Sequence, residues 1–182
     1  MTGPVRTGIY PRAARQFRPW KNGGGETAEI VVSPPDAGFD TFDWRISTAI
    51  VATDGPFSTF PGVDRVLTVI DGGAMRLEVA GRVHLLDPDS PPFAFAGDQP
   101  CAAALTAGPI LDFNVMVRRP LRATVTRGPL ALPVANETVQ LALLLQSGGG
   151  LARLDLVDLR ACGPAQLEEL TGLDALRVEI GG

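Results

Sequence analysis

Apolar and polar residues alternate with a period of two along most of the chain, the pattern of strands with one buried face. Ala28, Ile30 and Val32 alternate with Thr27, Glu29 and Val31. From Phe42 to Thr53, Phe42, Trp44, Ile46 and Thr48 fall on one face, and Asp43, Arg45, Ser47 and Ala49 on the other. Arg65 to Ile70 forms a third strand, and Asp71-Gly72-Gly73 after it predicts a hairpin turn. Met75, Leu77 and Val79 alternate with Arg76 and Glu78, and after Ala80-Gly81 the chain returns through Val83 and Leu85, opposite Arg82 and His84. Residues 93–100, FAFAGDQP, read as a strand and a turn, and Cys101 to Leu105 and Ile110 to Val117 as two more strands.

The pattern weakens past Pro120. Leu121, Ala123 and Val125 share a face, Val139 to Leu145 predicts a fully buried strand, and Leu151 to Leu159 follows a glycine-rich turn at 148–150. Pro164 to Leu170 predicts the one short helix, with proline at its start and Gly172 beyond its end. Leu176, Val178 and Ile180 alternate with Arg177 and Glu179 in a final strand. Residues 1–19 read as an irregular arm with one helical turn around Pro11 to Phe17. Roughly ten short strands separated by turns predict an antiparallel sandwich or barrel.

Composition adds exclusions. The 182 residues allow one large domain or two small lobes. With 45% apolar and 20% charged residues the chain is ordinary for a soluble globular protein, and 21 glycines with 16 prolines fit many tight turns. A net charge of −4 argues against nucleic-acid binding, which needs a basic surface to displace counterions. No apolar run approaches membrane-spanning length and no secretory signal is visible, so the expected location is the cytoplasm, away from membranes. Cys101 and Cys162 show no metal spacing and read as buried thiols in a reducing compartment.

The sole histidine, His84, reads as a solvated strand residue. A transition-metal centre needs several His, Cys or carboxylate groups converging, and this chain cannot supply a histidine pair. A Ser-His-Asp arrangement would also depend on His84 and lacks a nucleophile elbow. The expectation is a site with no metal, no cofactor and no catalytic residue.

The loop Asn22-Gly23-Gly24-Gly25 reads as a sharp turn, with Lys21 and Asn22 placed to present side chains. Arg45, with small neighbours Ser47 and Ala49, is either on a solvated face or inside a cavity with room around it, and Arg65 poses the same question one strand later. Two guanidiniums facing one pocket suit a small carboxylate. Trp44, Phe57 or Phe60 would add contact area. Asp98 and Asp112 sit at or near turns and read first as turn formers. Asp112-Phe113-Asn114 inside an apolar strand is odder, because buried polar groups need partners, and pairing of Asp112 or Asn114 with Arg45 or Arg65 would supply them.

Taken together, PWKNGGGETAEI at 19–30, FDWRISTAIVATDGPFSTFPGVDR at 42–65, FAFAGDQP at 93–100 and DFNVMVRR at 112–119 closely resemble the HutD/Ves family. The resemblance covers roughly residues 10–120. It implies an all-β, cupin-type (RmlC-like) jelly-roll barrel arranged as a compact bicupin with little helix. Residues 1–120 would form the lobe with the main pocket and 121–182 a smaller cupin-like lobe. It also implies bacterial histidine utilisation in the HutD branch and stress or cold response in the Ves branch.

Cupins hold metal through H-x-H-x₄-E, and the comparable spacing here is Ser58-x-Phe60-x₄-Arg65. A hydroxyl and a ring would replace the histidines, and a cation the carboxylate. The expected ligand is therefore a small organic acid, held by Lys21, Asn22, Trp44, Arg45, Ser47, Ser58, Phe60, Arg65, Asp112 and Asn114. By family analogy it is a histidine-breakdown acid such as urocanate or formylglutamate. The rival reading is a metal-independent isomerase or lyase using Asp98, Asp112 or Glu29 as general base. A homodimer is admitted by either reading.

Overall fold

The computed structural model of the chain describes residues 8–131 and 138–182, so the first seven residues of the expected arm lie outside the described residues. The elements, in chain order, are β1 (Ile9–Tyr10), β2 (Arg18–Pro19), β3 (Gly25–Ser33), β4 (Trp44–Val51), β5 (Gly55–Phe57), β6 (Val63–Gly72), β7 (Met75–Val79) and β8 (Arg82–Leu86). They continue with β9 (Phe93–Ala96), β10 (Cys101–Leu105), β11 (Ile110–Arg118), β12 (Arg122–Pro129), β13 (Val139–Leu144), β14 (Leu156–Asp158), α1 (Pro164–Leu170) and β15 (Asp174–Gly181). Two compact units result: Gln16–Ala123, and Thr124–Gly182 together with the chain up to Arg15.

In the first unit β4 pairs with β11, β5 with β10, β6 with β9 and β7 with β8, all antiparallel. These are the nested rungs of one long hairpin, rolled up so that β6 also meets β11 and β7 meets β10. The outcome is a jelly roll with one six-stranded sheet (β2-β3-β4-β11-β6-β9) and one four-stranded sheet (β5-β10-β7-β8). Inward residues of both sheets, among them Val51, Leu67, Val69, Met75, Leu77 and Ile110, form one core at one end of the roll.

Three local expectations give way to this topology. Asp71-Gly72-Gly73 does not close a hairpin, because β6 and β7 lie in different sheets. It is a corner that only glycine can form: a Cβ would sit 2.3 Å from the Pro109 carbonyl oxygen at Gly72 and 2.4 Å from that of Ala107 at Gly73, and Gly72 has φ +90°. The even alternation expected for β3 is broken by a bulge between Glu29 and Val31. Past it Val32, not Val31, stands opposite Arg45, so Glu29 and Val32 share a face that strict alternation would divide. Phe42 precedes β4 and packs with Val63 and Met116 instead of following Trp44.

In the second unit the order is β1-β14-β13-β15-β12, with β13 central and buried as its apolar run demands. Leu170 of α1 packs with Ala142, Leu144, Val157 and Ala175. The stretch expected as a strand from Leu151 to Leu159 is regular only at Leu156–Asp158. Leu154 has φ +72°, and both Asp155 carboxylate oxygens accept backbone N–H groups, from Arg12 and Ala152. The expected helical turn of the arm is a single 3-10 turn at Arg12–Ala14.

Candidate functional site

Strand register lays the inward face of the six-stranded sheet out in rows. Phe95, Arg65, Met116, Arg45 and Val32 stand side by side in one row. The next holds Phe93, Leu67, Asn114, Ser47 and Glu29, and the third Val69, Asp112, Ala49 and Thr27. Polar side chains therefore enter the barrel where β4, β6 and β11 meet, in the same rows that supply Leu67 and Val69 to the apolar core. Arg45, Ser47, Arg65, Asp112 and Asn114 are all buried.

The two arginines differ in their partners. Arg45 is used: its Nε donates to Glu29 Oε2 at 2.8 Å, its Nη1 to Ser47 Oγ at 3.3 Å, and its guanidinium lies 4.9 Å from the centre of the Phe39 ring. Glu29 thus takes the place expected for Asp112 or Asn114 as the partner of Arg45. Arg65 is only 5% exposed, and its Nε has no hydrogen-bond partner. Three phenyl rings surround its guanidinium instead, Phe95 at 5.1 Å, Phe60 at 5.6 Å and Phe57 at 5.8 Å from carbon to ring centre. Burial pulls the Arg65 pKa down against the attraction of Asp112 and Cys101.

Asp112 lies inside β11 beside a register shift, not at a turn. Burial pushes its carboxyl up to about 7, against the opposing pull of Arg65 and of the Ala49 backbone N–H. Its Oδ1 and that of Asn114 have no partner, so these rows hold one donor and two acceptors to spare. The Cys101 thiol is also raised by burial, with Arg65 pulling the other way, and so stays neutral.

Flanking segments fix the rings. Phe60 N–H donates to Gly97 O at 2.8 Å and Gly97 N–H to Val63 O at 2.7 Å. A Cβ at Gly97 would meet Val63 O at 2.8 Å and Phe60 O at 3.2 Å, so glycine permits this approach. Gly62 N–H donates to Asp98, and Arg119 bridges Asp98 and Asp64. These bonds hold the exposed Asp98 below the ordinary carboxylate range. At the other end Trp20 packs edge-on against Phe57 at 6.0 Å and donates to Thr27 Oγ1 at 2.8 Å.

Of the residues expected from sequence, the barrel brings together Arg45, Ser47, Phe60, Arg65, Asp112 and Asn114. Four lie apart. Trp44 is on the face opposite Arg45, paired across from Ser33 and Val117. Lys21 is exposed on the β2–β3 turn, where Asn22 Oδ1 accepts the Gly24 N–H at 2.9 Å and so serves the turn itself. Ser58 is exposed on its loop. His84 is half-buried, not solvated, with its ring 4.3 Å from that of Phe93, while Val83 and Leu85 point outward. The alternation missed Phe95, and Phe39 sits in a loop with no periodicity to reveal it.

The donor set does not suit the metal that many cupins carry. The buried polar groups of these three rows are two guanidiniums, a hydroxyl, an amide and one carboxyl. Among the described residues no group of three His, Cys, Asp or Glu is placed to hold a metal ion. No helix of the described residues is long and apolar enough to cross a membrane.

Comparison with known proteins agrees with this architecture. The HutD family model matches residues 12–181. A conserved protein of unknown function from Pseudomonas aeruginosa PAO1 is 33% identical over 96% of this chain and 98% of its own, with a TM-score of 0.76. HutD from Pseudomonas fluorescens SBW25, solved in a formate condition, is 30% identical over 94% and 96%, with a TM-score of 0.75. An RmlC-like cupin from Shewanella frigidimarina is 12% identical over 60% and 89%, with a TM-score of 0.45.

Proposed function

For a chain that belongs to the HutD family and has a cupin-type fold, we propose a metal-free bicupin that binds a small organic acid and serves as a regulator or metabolite buffer without catalysis. The observation that carries the reading is Arg65, a buried guanidinium with an unpartnered Nε, walled by three aromatic rings. Leaving such a donor buried costs free energy, and a carboxylate would relieve that cost with a charge-assisted, two-point contact. That contact contributes about 1.5–3 kcal/mol per bond, whereas micromolar affinity needs about 8 kcal/mol. Phe57, Phe60 and Phe95 would supply the remainder by apolar and stacking contact. The family name ties the ligand to histidine utilisation, with urocanate and formylglutamate as the acids to try first. The formate condition of the P. fluorescens relative makes formate the smallest probe. Calorimetry on folded protein with formate, urocanate and formylglutamate tests the proposal; no heat with any of them would remove it.

A second reading draws on Asp112. A buried carboxyl that titrates near neutrality beside a cation is suited to general acid–base work on a small carboxylate. Proton exchange from a bound acid into deuterated solvent, lost in Asp112→Asn, would favour that enzyme over a binding protein.

A further inference from the structure

The unpartnered polar atoms in the rows of Arg65, Asn114 and Asp112 are of two kinds. Arg65 needs an acceptor. Asp112 Oδ1 and Asn114 Oδ1 are acceptors in want of a donor. The remaining polar groups nearby do not meet this demand, because Arg45 is shared between Glu29 and Ser47. Asp112 and Asn114 are 2% and 8% exposed, so bulk water does not meet it either. They stand two positions apart on β11, on the same face, about 7 Å from one another along the strand. Their rows follow directly on that of Arg65.

A plain carboxylate would satisfy Arg65 and leave these acceptors facing a further negative charge. From this geometry we infer that the ligand is bifunctional, a carboxylate carrying an O–H or N–H donor along its chain, with the acid on Arg65 and the donor on the Asn114–Asp112 edge of β11. The inference rests on the acid-binding reading above and narrows it. It makes Asn114 the residue that sets specificity, since its side chain is nearest in register to Arg65.

The test compares acids that differ only in the donor: lactate with propionate, and 3-hydroxybutyrate with butyrate, by calorimetry at pH 8. In water the added hydroxyl disfavours transfer into an apolar barrel, so a gain in affinity has to come from a specific acceptor. The expected result is at least tenfold tighter binding of the hydroxy acid in one pair or both. Asn114→Leu should reduce that preference, read as the ratio of the two affinities within each pair, to threefold or less. The unsubstituted protein alone carries the first comparison if that variant fails to fold. Affinities equal within threefold in both pairs would overturn the inference and leave the acid-binding reading intact. So would equal affinities with uptake of a proton on binding, which would make Asp112 itself the donor. If none of the four acids binds, and formate, urocanate and formylglutamate do not bind either, the acid-binding reading falls and this inference with it.

Discussion

Asp112 keeps its proton up to about pH 7 although the Arg65 guanidinium on the neighbouring strand favours its charged form. Burial opposes both charges, and it outweighs their attraction: Asp112 is raised while Arg65 is lowered. The pair is therefore a poor source of stability and a good receptor, since neither member is fully satisfied by the other.

This has a consequence for pH. The folded state holds a proton on Asp112 that the unfolded chain releases near pH 4, so between about pH 4 and 7 the folded state binds more protons than the unfolded. Stability from this group is complete below about pH 4, falls as pH rises to about 7 and is flat above it. The loss has an upper bound of about 4 kcal/mol, from roughly three pKa units at 1.36 kcal/mol each. Asp112→Asn should remove it. Urea unfolding at pH 5 and pH 8 should show a smaller difference in the variant than in the original protein, and parallel pH profiles would refute the assignment.

Arg65 is predicted to exchange stability for binding. Arg65→Met fills a similar volume, lies well among Phe57, Phe60 and Phe95, and removes a buried donor without a partner. Its midpoint of thermal unfolding should be equal to or above that of the original protein, and formate binding should be lost. Arg65→Lys keeps the charge but loses the planar fork, and should weaken binding by tenfold or more. A large fall in stability for Arg65→Met would mean that the arginine is structural.

Much of this arrangement is legible in the sequence, and the exceptions have physical causes. Arg45, Ser47, Asp112 and Asn114 stand out because they are polar positions at period two inside strands whose other face is apolar. Arg65 reads the same way. Glu29 could be named as a carboxylate but not placed, because the one-residue bulge after it resets the facing of β3. Trp44 enters the expected site for its chemistry alone, since the alternation of β4 puts it on the face opposite Arg45 and leaves open which of the two faces inward. Phe39 approaches Arg45 and Phe60 from a loop, at 4.9 and 5.7 Å, and loops carry no period from which such a contact can be read. The corner at Gly72-Gly73 has the residues of a hairpin, and only the rolled topology shows that its two strands part.

Glu29→Gln should release Arg45. The bond between them is half-exposed on the Glu29 side, so the loss of stability should be about 1 kcal/mol or less. Two cationic groups would then face the interior with one fewer carboxylate nearby. Formate affinity should rise several-fold, and a fall would mean that Glu29 takes part in binding.

Gly97→Ala tests whether the rings matter through their position. The added methyl would press on Val63 O and Phe60 O, at 2.8 and 3.2 Å, and backbone atoms have little room to yield. Displacing this junction moves Phe60 away from the Arg65 guanidinium and should destabilise the barrel by roughly 1–3 kcal/mol, as overpacking does. Formate affinity should fall at temperatures where circular dichroism still reports a folded barrel, because Arg65 would lose a wall while keeping its charge. Unchanged affinity in that window would show that the guanidinium binds without Phe60, framed by Phe57 and Phe95 alone.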